Sequence, residues 1–304
     1  MDLTLALAGL GVGIVVGITG MGGGALMTPV LVLFFGIPPV AAVSSDLAAS
    51  AVMKPFGGWV HARRGTVNWR LVRWLCAGSV PAAFLGVSLL RVIGDDETTQ
   101  RTIKIALGIA LLLAAGGLLL KAWAARRRRG EGPAEPITVR PVPTVLLGAA
   151  GGLIVGLTSV GSGSLIIVAL LALYPKLRAN DLVGTDLVQA IPLVSAAALG
   201  HAFFGDLHLD LAGAVLIGSI PGVLIGARIS SRAPGGVVRS ALVVVLLASA
   251  LKLLGVPNDW VGAASGVVAL AAVAVALAGR RRRSAGAVAE AVPAESPKEP
   301  ARLS

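Results

Sequence analysis

Three observations predict an all-α polytopic membrane protein, an inverted repeat of two helical halves that each begin with a glycine-broken helical hairpin. The 304 residues are 56% hydrophobic, with a mean hydropathy of +0.87, too apolar for a soluble domain. Several apolar runs are long enough to cross a bilayer, and the alternating ten-residue segments of a membrane barrel are absent. The stretch Thr19-Gly20-Met21-Gly22-Gly23-Gly24 returns as Thr158-Ser159-Val160-Gly161-Ser162-Gly163, each copy inside an apolar run. Glycine clusters there leave backbone polar groups without helical partners, which lipid tolerates only where the loop is buried in protein or lines a cavity. Two such breaks in matching halves point to a transport site.

The elements follow in order. Leu3–Ile18 would be about 24 Å long as a helix, and Ala25–Phe35 is shorter, so neither spans a core of about 30 Å. Gly36-Ile37-Pro38-Pro39 ends the run. Val40–Val60 is a span, His61–Gly65 a turn, and Leu71–Ile93 and Ile103–Trp123 are further spans. Trp59, Trp69 and Trp74 flank that turn as an interfacial belt would. The second half replays this order. Thr158 minus Thr19 is 139; after one inserted residue the offset is 140, which pairs Asp46 with Asp186, His61 with His201, Gly78-Ser79 with Gly218-Ser219, Pro81 with Pro221 and Gly86 with Gly226. The expected organisation is a first membrane repeat over 1–123, a cytoplasmic linker over 124–143, a second repeat over 144–255, an extra C-terminal span over 256–279, and a disordered cytoplasmic tail over 280–304.

The net charge of +11 belongs to loops beside apolar runs, where orientation signals sit, so the partner it implies is the lipid bilayer and not nucleic acid. If each broken run is a hairpin, 21 Lys and Arg lie in inside loops and 4 outside; if each crosses once, the split is 11 inside and 14 outside. The hairpin arrangement obeys the positive-inside rule. It places the N-terminus outside, the C-terminus in the cytoplasm, and the two halves in opposite orientation in the cell membrane. Met1-Asp2 is followed by no basic segment of the kind that opens a signal peptide.

The glycine loops supply the substrate-binding candidates: Thr19, Met21, Gly22, Gly23 and Gly24 from the first, and Thr158, Ser159, Gly161, Ser162, Gly163 and Ser164 from the second. Each loop opens a half-helix, at Ala25 and at Ser164, whose N-terminal amides and dipole suit a small anion. Glycine admits close approach of backbone to ligand, and the hydroxyls add donors. Single glycines elsewhere in the spans read as small-residue helix packing. Lys54 is the one basic residue well inside a span and joins the candidates; it could attract an anion, pair with a carboxylate or snorkel. Asp46, Ser50, Lys54, Gly57 and His61 share one helix face, directed to the protein interior. Asp46 and Asp186 read either as N-caps or as members of a proton or cation relay. His61 and His201 end their spans; they are coupling candidates that could titrate near neutral pH, or interfacial turn residues.

No enzyme signature is present: there is no His-Glu-x-x-His, no phosphate-binding loop and no Gly-x-Ser-x-Gly. Gly22-Gly23-Gly24 lacks the strand–helix unit of a dinucleotide site, so no cofactor is expected. The single cysteine, Cys76, excludes a disulfide within the chain and a cysteine metal cluster, and reads as a packing residue. The ordered set Gly17–Gly24, Gly36-Ile37-Pro38-Pro39, Arg63–Arg70 and Gly78-Ser79-Val80-Pro81, in duplicate, resembles the TauE/SafE family of sulfite exporters, the TSUP permeases, over about residues 5–255. The resemblance implies a secondary transporter of a small sulfur-containing anion, such as sulfite or an organosulfonate, across the inner membrane; the intramembrane carboxylates, not the resemblance, suggest a coupling proton or cation. Ser162 stands where a third consecutive glycine is expected, so the two loop tips contribute unequally. The competing reading is a cation or metal-ion permease that uses Asp46 and Asp186.

Overall fold

The computed structural model describes residues 3–19, 23–93, 97–127, 137–177, 179–204, 207–230 and 235–270. Among these there is no strand. Helices α1 (Leu3–Thr19) and α2 (Gly24–Phe34) flank the first glycine break, and α3 (Pro39–Arg63), α4 (Trp69–Ile93) and α5 (Glu97–Arg127) follow. Helices α6 (Pro141–Thr158) and α7 (Leu165–Leu173) flank the second break, and α8 (Ala179–Phe204), α9 (Leu209–Ser230) and α10 (Gly235–Leu253) follow. A further helical stretch covers 258–270. The rest of the extra span, most of the linker and the tail lie outside the described residues.

Among the described residues five helices, within α4, α5, α6, α8 and α9, are long and apolar enough to cross a membrane. Their outward side chains are apolar too: Leu85, Val92, Leu113, Leu146 and Leu224 are each more than half exposed. Water would penalise that much apolar surface, whereas lipid does not. Trp59 and Trp69 are exposed near the turn after α3, and the Arg63 guanidinium stacks 4.0 Å over the Trp59 ring.

The helices pair across the halves. Helix α1 packs along α9 and α4 along α6, and α3 meets α8 while α5 meets α10. Glycines allow the first two approaches. A Cβ on Gly13 would strike the Ser219 carbonyl at 2.6 Å, and one on Gly152 would strike the carbonyl of Ser79, the residue matched to Ser219. Gly218 lies on Ala6 and Gly226 on Ile14, as Gly78 lies on Val145 and Gly86 on Leu153. These partners are 139 or 140 apart in the sequence, by subtraction. Small residues at four-residue spacing let backbones touch, which is how apolar helices associate where water supplies no drive.

Helix α3 begins at Pro39, beside the start expected at Val40, because a proline at the first turn gives up no hydrogen bond. Asp46 therefore sits in the helix interior and is not an N-cap; Asp186, seven residues into α8, is in the same position. Helix α6 likewise begins at Pro141, earlier than Thr144.

Candidate functional site

Helix α3 carries the polar stripe inward: Asp46 and Ser50 are buried, and Lys54 is 7% exposed. A chain of 25 residues at 1.5 Å each reaches about 37 Å, so these side chains lie well along its length. Desolvating charged groups is costly, and both Asp46 and Lys54 find hydrogen-bond partners outside α3.

Asp46 lies at the start of α2. Its Oδ2 accepts a hydrogen bond from Thr28 Oγ1 at 3.1 Å and a short one from Ser159 Oγ. A Cβ on Gly24 would stand 3.0 Å from the same oxygen, and it would collide with the Ser159 carbonyl. A Cβ on Gly23 would stand 3.7 Å from Oδ1. The glycines thus let the second loop and a carboxylate close on the first turn of α2, where the helix dipole favours negative charge. Asp46 Oδ1 and Ser45 Oγ are buried with no hydrogen-bond partner among the described residues.

About two turns further along α3, Lys54 Nζ donates to Ser162 Oγ at 2.5 Å. Its charge interacts with the carboxylates of Asp186 and Asp46. Asp186 is buried on α8 and accepts from Gln189 Nε2 at 3.4 Å, while Gln189 Oε1 accepts from Ser79 Oγ at 3.3 Å. The result is a buried lysine between two carboxylates, bridged to the second glycine loop at Ser159 and Ser162.

That loop is strained to make the reach. Ser159 closes α6 in the left-handed region at φ 57°, uncommon for a side-chain-bearing residue, and Gly161 and Gly163 have φ of 127° and 109°. Its hydroxyls divide their work. Thr158 Oγ1 is spent locally on the Ile154 carbonyl at 2.6 Å. Ser164 is buried at the head of α7 and makes no side-chain cap bond there. The Gly161 carbonyl accepts from the amides of Ser164, Leu165 and Ile166 at 3.1–3.4 Å, so the first amides of α7 turn back on their own loop. The first amides of α2 behave alike, Leu26 and Met27 each donating to the Gly23 carbonyl at 2.9 Å.

The remaining candidates fall elsewhere or beyond description. The side chain of Thr19, with Met21 and Gly22, lies outside the described residues. His61 Nδ1 contacts Thr66 Oγ1 at 2.9 Å across the turn that follows α3. His201 is fully buried beside the Gly156 backbone, which corrects the interfacial reading: the end of α8 packs inside against α4 and α6. Cys76 sits where α4 meets α8, its Sγ 3.8 Å from the Gln189 carbonyl. Among the described residues no three His, Cys, Asp or Glu side chains gather as a metal site would require. The residues missed from sequence are Thr28 and Gln189. Each had a signal: Thr28 is four residues past Gly24 on one helix face, and Gln189 is three past Asp186.

A multi-pass α-helical membrane protein with buried charges beside a broken helix belongs to the class of membrane transporters. The comparisons agree. The family profile described as "Sulfite exporter TauE/SafE" matches residues 5–253, and the chain belongs to this family. It is 39% identical over 256 residues to "Probable membrane transporter protein YjnA" of Bacillus subtilis (strain 168), covering 84% of this chain and 100% of that protein. It is 26% identical over 242 residues to "Probable membrane transporter protein YdhB" of the same organism, covering 80% and 96%. A "Probable membrane transporter protein" of Xylella fastidiosa (strain Temecula1) is 26% identical over 234 residues, covering 76% and 85%. No solved structure matches. The names are those of transporters and not of enzymes.

Proposed function

We propose that this membrane transporter is a secondary transporter of a small sulfur-containing anion, such as sulfite or an organosulfonate, and that the second glycine loop and Lys54 hold the anion. The observation that carries this reading is the Lys54–Ser162 contact: a buried cation on α3 reaches the glycine loop of the other half. A lysine there attracts an anion and repels the metal ion of the competing reading. The family's description supplies the sulfur chemistry. The loop charges support opposite orientations of the two halves, with the N-terminus outside and the C-terminus in the cytoplasm. Access would then alternate by movement of one half against the other around a fixed site.

Ligand-induced thermal stabilisation of the purified protein in detergent tests this. Sulfite, thiosulfate, sulfate, sulfoacetate and acetate are screened against divalent cations. An anion at a hundredfold its dissociation constant adds about 2.7 kcal/mol to native stability. Stabilisation by one sulfur anion, lost in Gly24→Leu, is the expected result. Stabilisation by a cation alone, lost in Asp46→Asn, would replace the anion reading with the cation permease.

A further inference from the structure

We infer that the Asp46 carboxylate stands in for the substrate anion on shared hydroxyl donors and releases them only when it takes a proton, so that one proton binds with each anion. The inference rests on the anion reading above and deepens it. The donors a small oxyanion needs at this place are Ser159 Oγ, on the loop, and Thr28 Oγ1, one turn into α2; both are given to Asp46 Oδ2. The glycine start of α2, with its favourable dipole, closes on the same carboxylate. A hydroxyl has one proton to donate, so an anion and an ionised Asp46 compete for these two groups.

Charge balance points the same way. The charged group facing Asp46 is Lys54 on its own helix, and the second carboxylate acting on Lys54 is Asp186 on α8. Helices α2 and α6 present only hydroxyls, and α5 and α9 carry their ionisable residues near their ends. With Asp46 and Asp186 ionised and Lys54 protonated, the cluster carries one net negative charge. A monoanion added alone doubles that in a buried site, whereas a monoanion added with a proton on Asp46 leaves it unchanged. Asp46 Oδ1, which has no hydrogen-bond partner among the described residues, is the atom at which the proton would rest. The proton comes from the aqueous side to which the site is open and leaves with the anion on the other side.

The test is calorimetric titration of the full chain in lipid nanodiscs with the monoanions benzenesulfonate and methanesulfonate, whose charges do not change between about pH 5.5 and about pH 8. One proton per anion means an affinity that falls about tenfold for each pH unit above the titration of Asp46, by linkage. Repeating each titration in two buffers of different ionisation enthalpy counts the protons directly in the unmodified protein, so the result does not depend on a variant folding. Asp46→Asn should bind the anion with the affinity flat across pH. Anion binding without proton uptake, a slope kept in Asp46→Asn, or a requirement for sodium in place of protons would each overturn the inference while leaving the anion reading intact. Absence of binding by any sulfur anion at any pH would overturn both.

Discussion

Gly13 rests on Ser219 as Gly152 rests on Ser79, so the seams α1–α9 and α4–α6 are built from matched residues making matched contacts. Asp46 and Asp186 are matched in the same way, yet different groups hold them. Asp46 takes two hydroxyls, Thr28 and Ser159, whereas Asp186 takes an amide, Gln189, and both carboxylates act on the charge of Lys54. The reason lies in what stands at the partner positions. Ser162 and Ser159 match Gly23 and Gly20 at the 139 offset, by subtraction, and Lys54 matches Val194 at 140. The second half supplies hydroxyls where the first has bare backbone, and the first supplies the cation. The packing that holds the helices together is alike in the two halves, whereas their buried charges are complementary parts of one cluster.

The largest expected effect breaks that complementarity. Lys54→Met leaves two buried carboxylates without their cation, which costs about 3–5 kcal/mol, and it should abolish anion-induced stabilisation. Moving the lysine to the matched position, Lys54→Val with Val194→Lys, should not restore binding, because the first loop offers Gly23 where Ser162 accepts the ammonium. Recovery of anion binding in the double variant would show the halves to be interchangeable. Thermal unfolding followed by light scattering, with and without thiosulfate, reads both quantities.

A smaller pair of effects sharpens the likeness of the seams. Gly13→Ala and Gly152→Ala each force a methyl group against a backbone carbonyl on the facing helix, where no side chain can move aside. Overpacking of this kind costs about 1–3 kcal/mol. Because the two contacts are equivalent, the two losses should agree within about 0.5 kcal/mol and should add in the double variant, the sites being in separate interfaces. Unequal losses would mean that one seam carries more of the fold.

Most of the fold was legible in the sequence because its signals are local and repeated. Apolar runs, glycine breaks and the Pro38-Pro39 stop each act through their own backbone, and the constant offset ties the halves. The role of Asp46 was less legible: Ser44-Ser45-Asp46 has the chemistry of a cap, but proline already starts α3 one turn earlier. The site was legible as a list and not as an arrangement. That Asp46 bonds across 113 positions to Ser159, and Lys54 across 108 to Ser162, depends on the crossing of α3 with the second loop, which no spacing within either segment encodes. His201 shows the same limit, since its chain position is a helix end while its burial is set by α4 and α6.

The smallest expected effect separates two neighbouring glycines on α5. Gly116 has nothing within 4 Å of where a Cβ would stand, whereas a Cβ on Gly117 would lie 3.0 Å from Val168 Cγ2 on α7. Both are helical, so alanine at either gains up to about 1 kcal/mol in backbone preference. At Gly116 that gain is unopposed, and Gly116→Ala should be neutral or slightly stabilising. At Gly117 the methyl presses on α7, the half-helix that begins just after the loop residues Ser162 and Ser164. Gly117→Ala should therefore show its effect in anion affinity more than in melting temperature, through a displaced Ser162. Equal behaviour of the two variants in both measurements would mean that α7 yields freely, and that the loop's position is fixed by Asp46 and Lys54 alone.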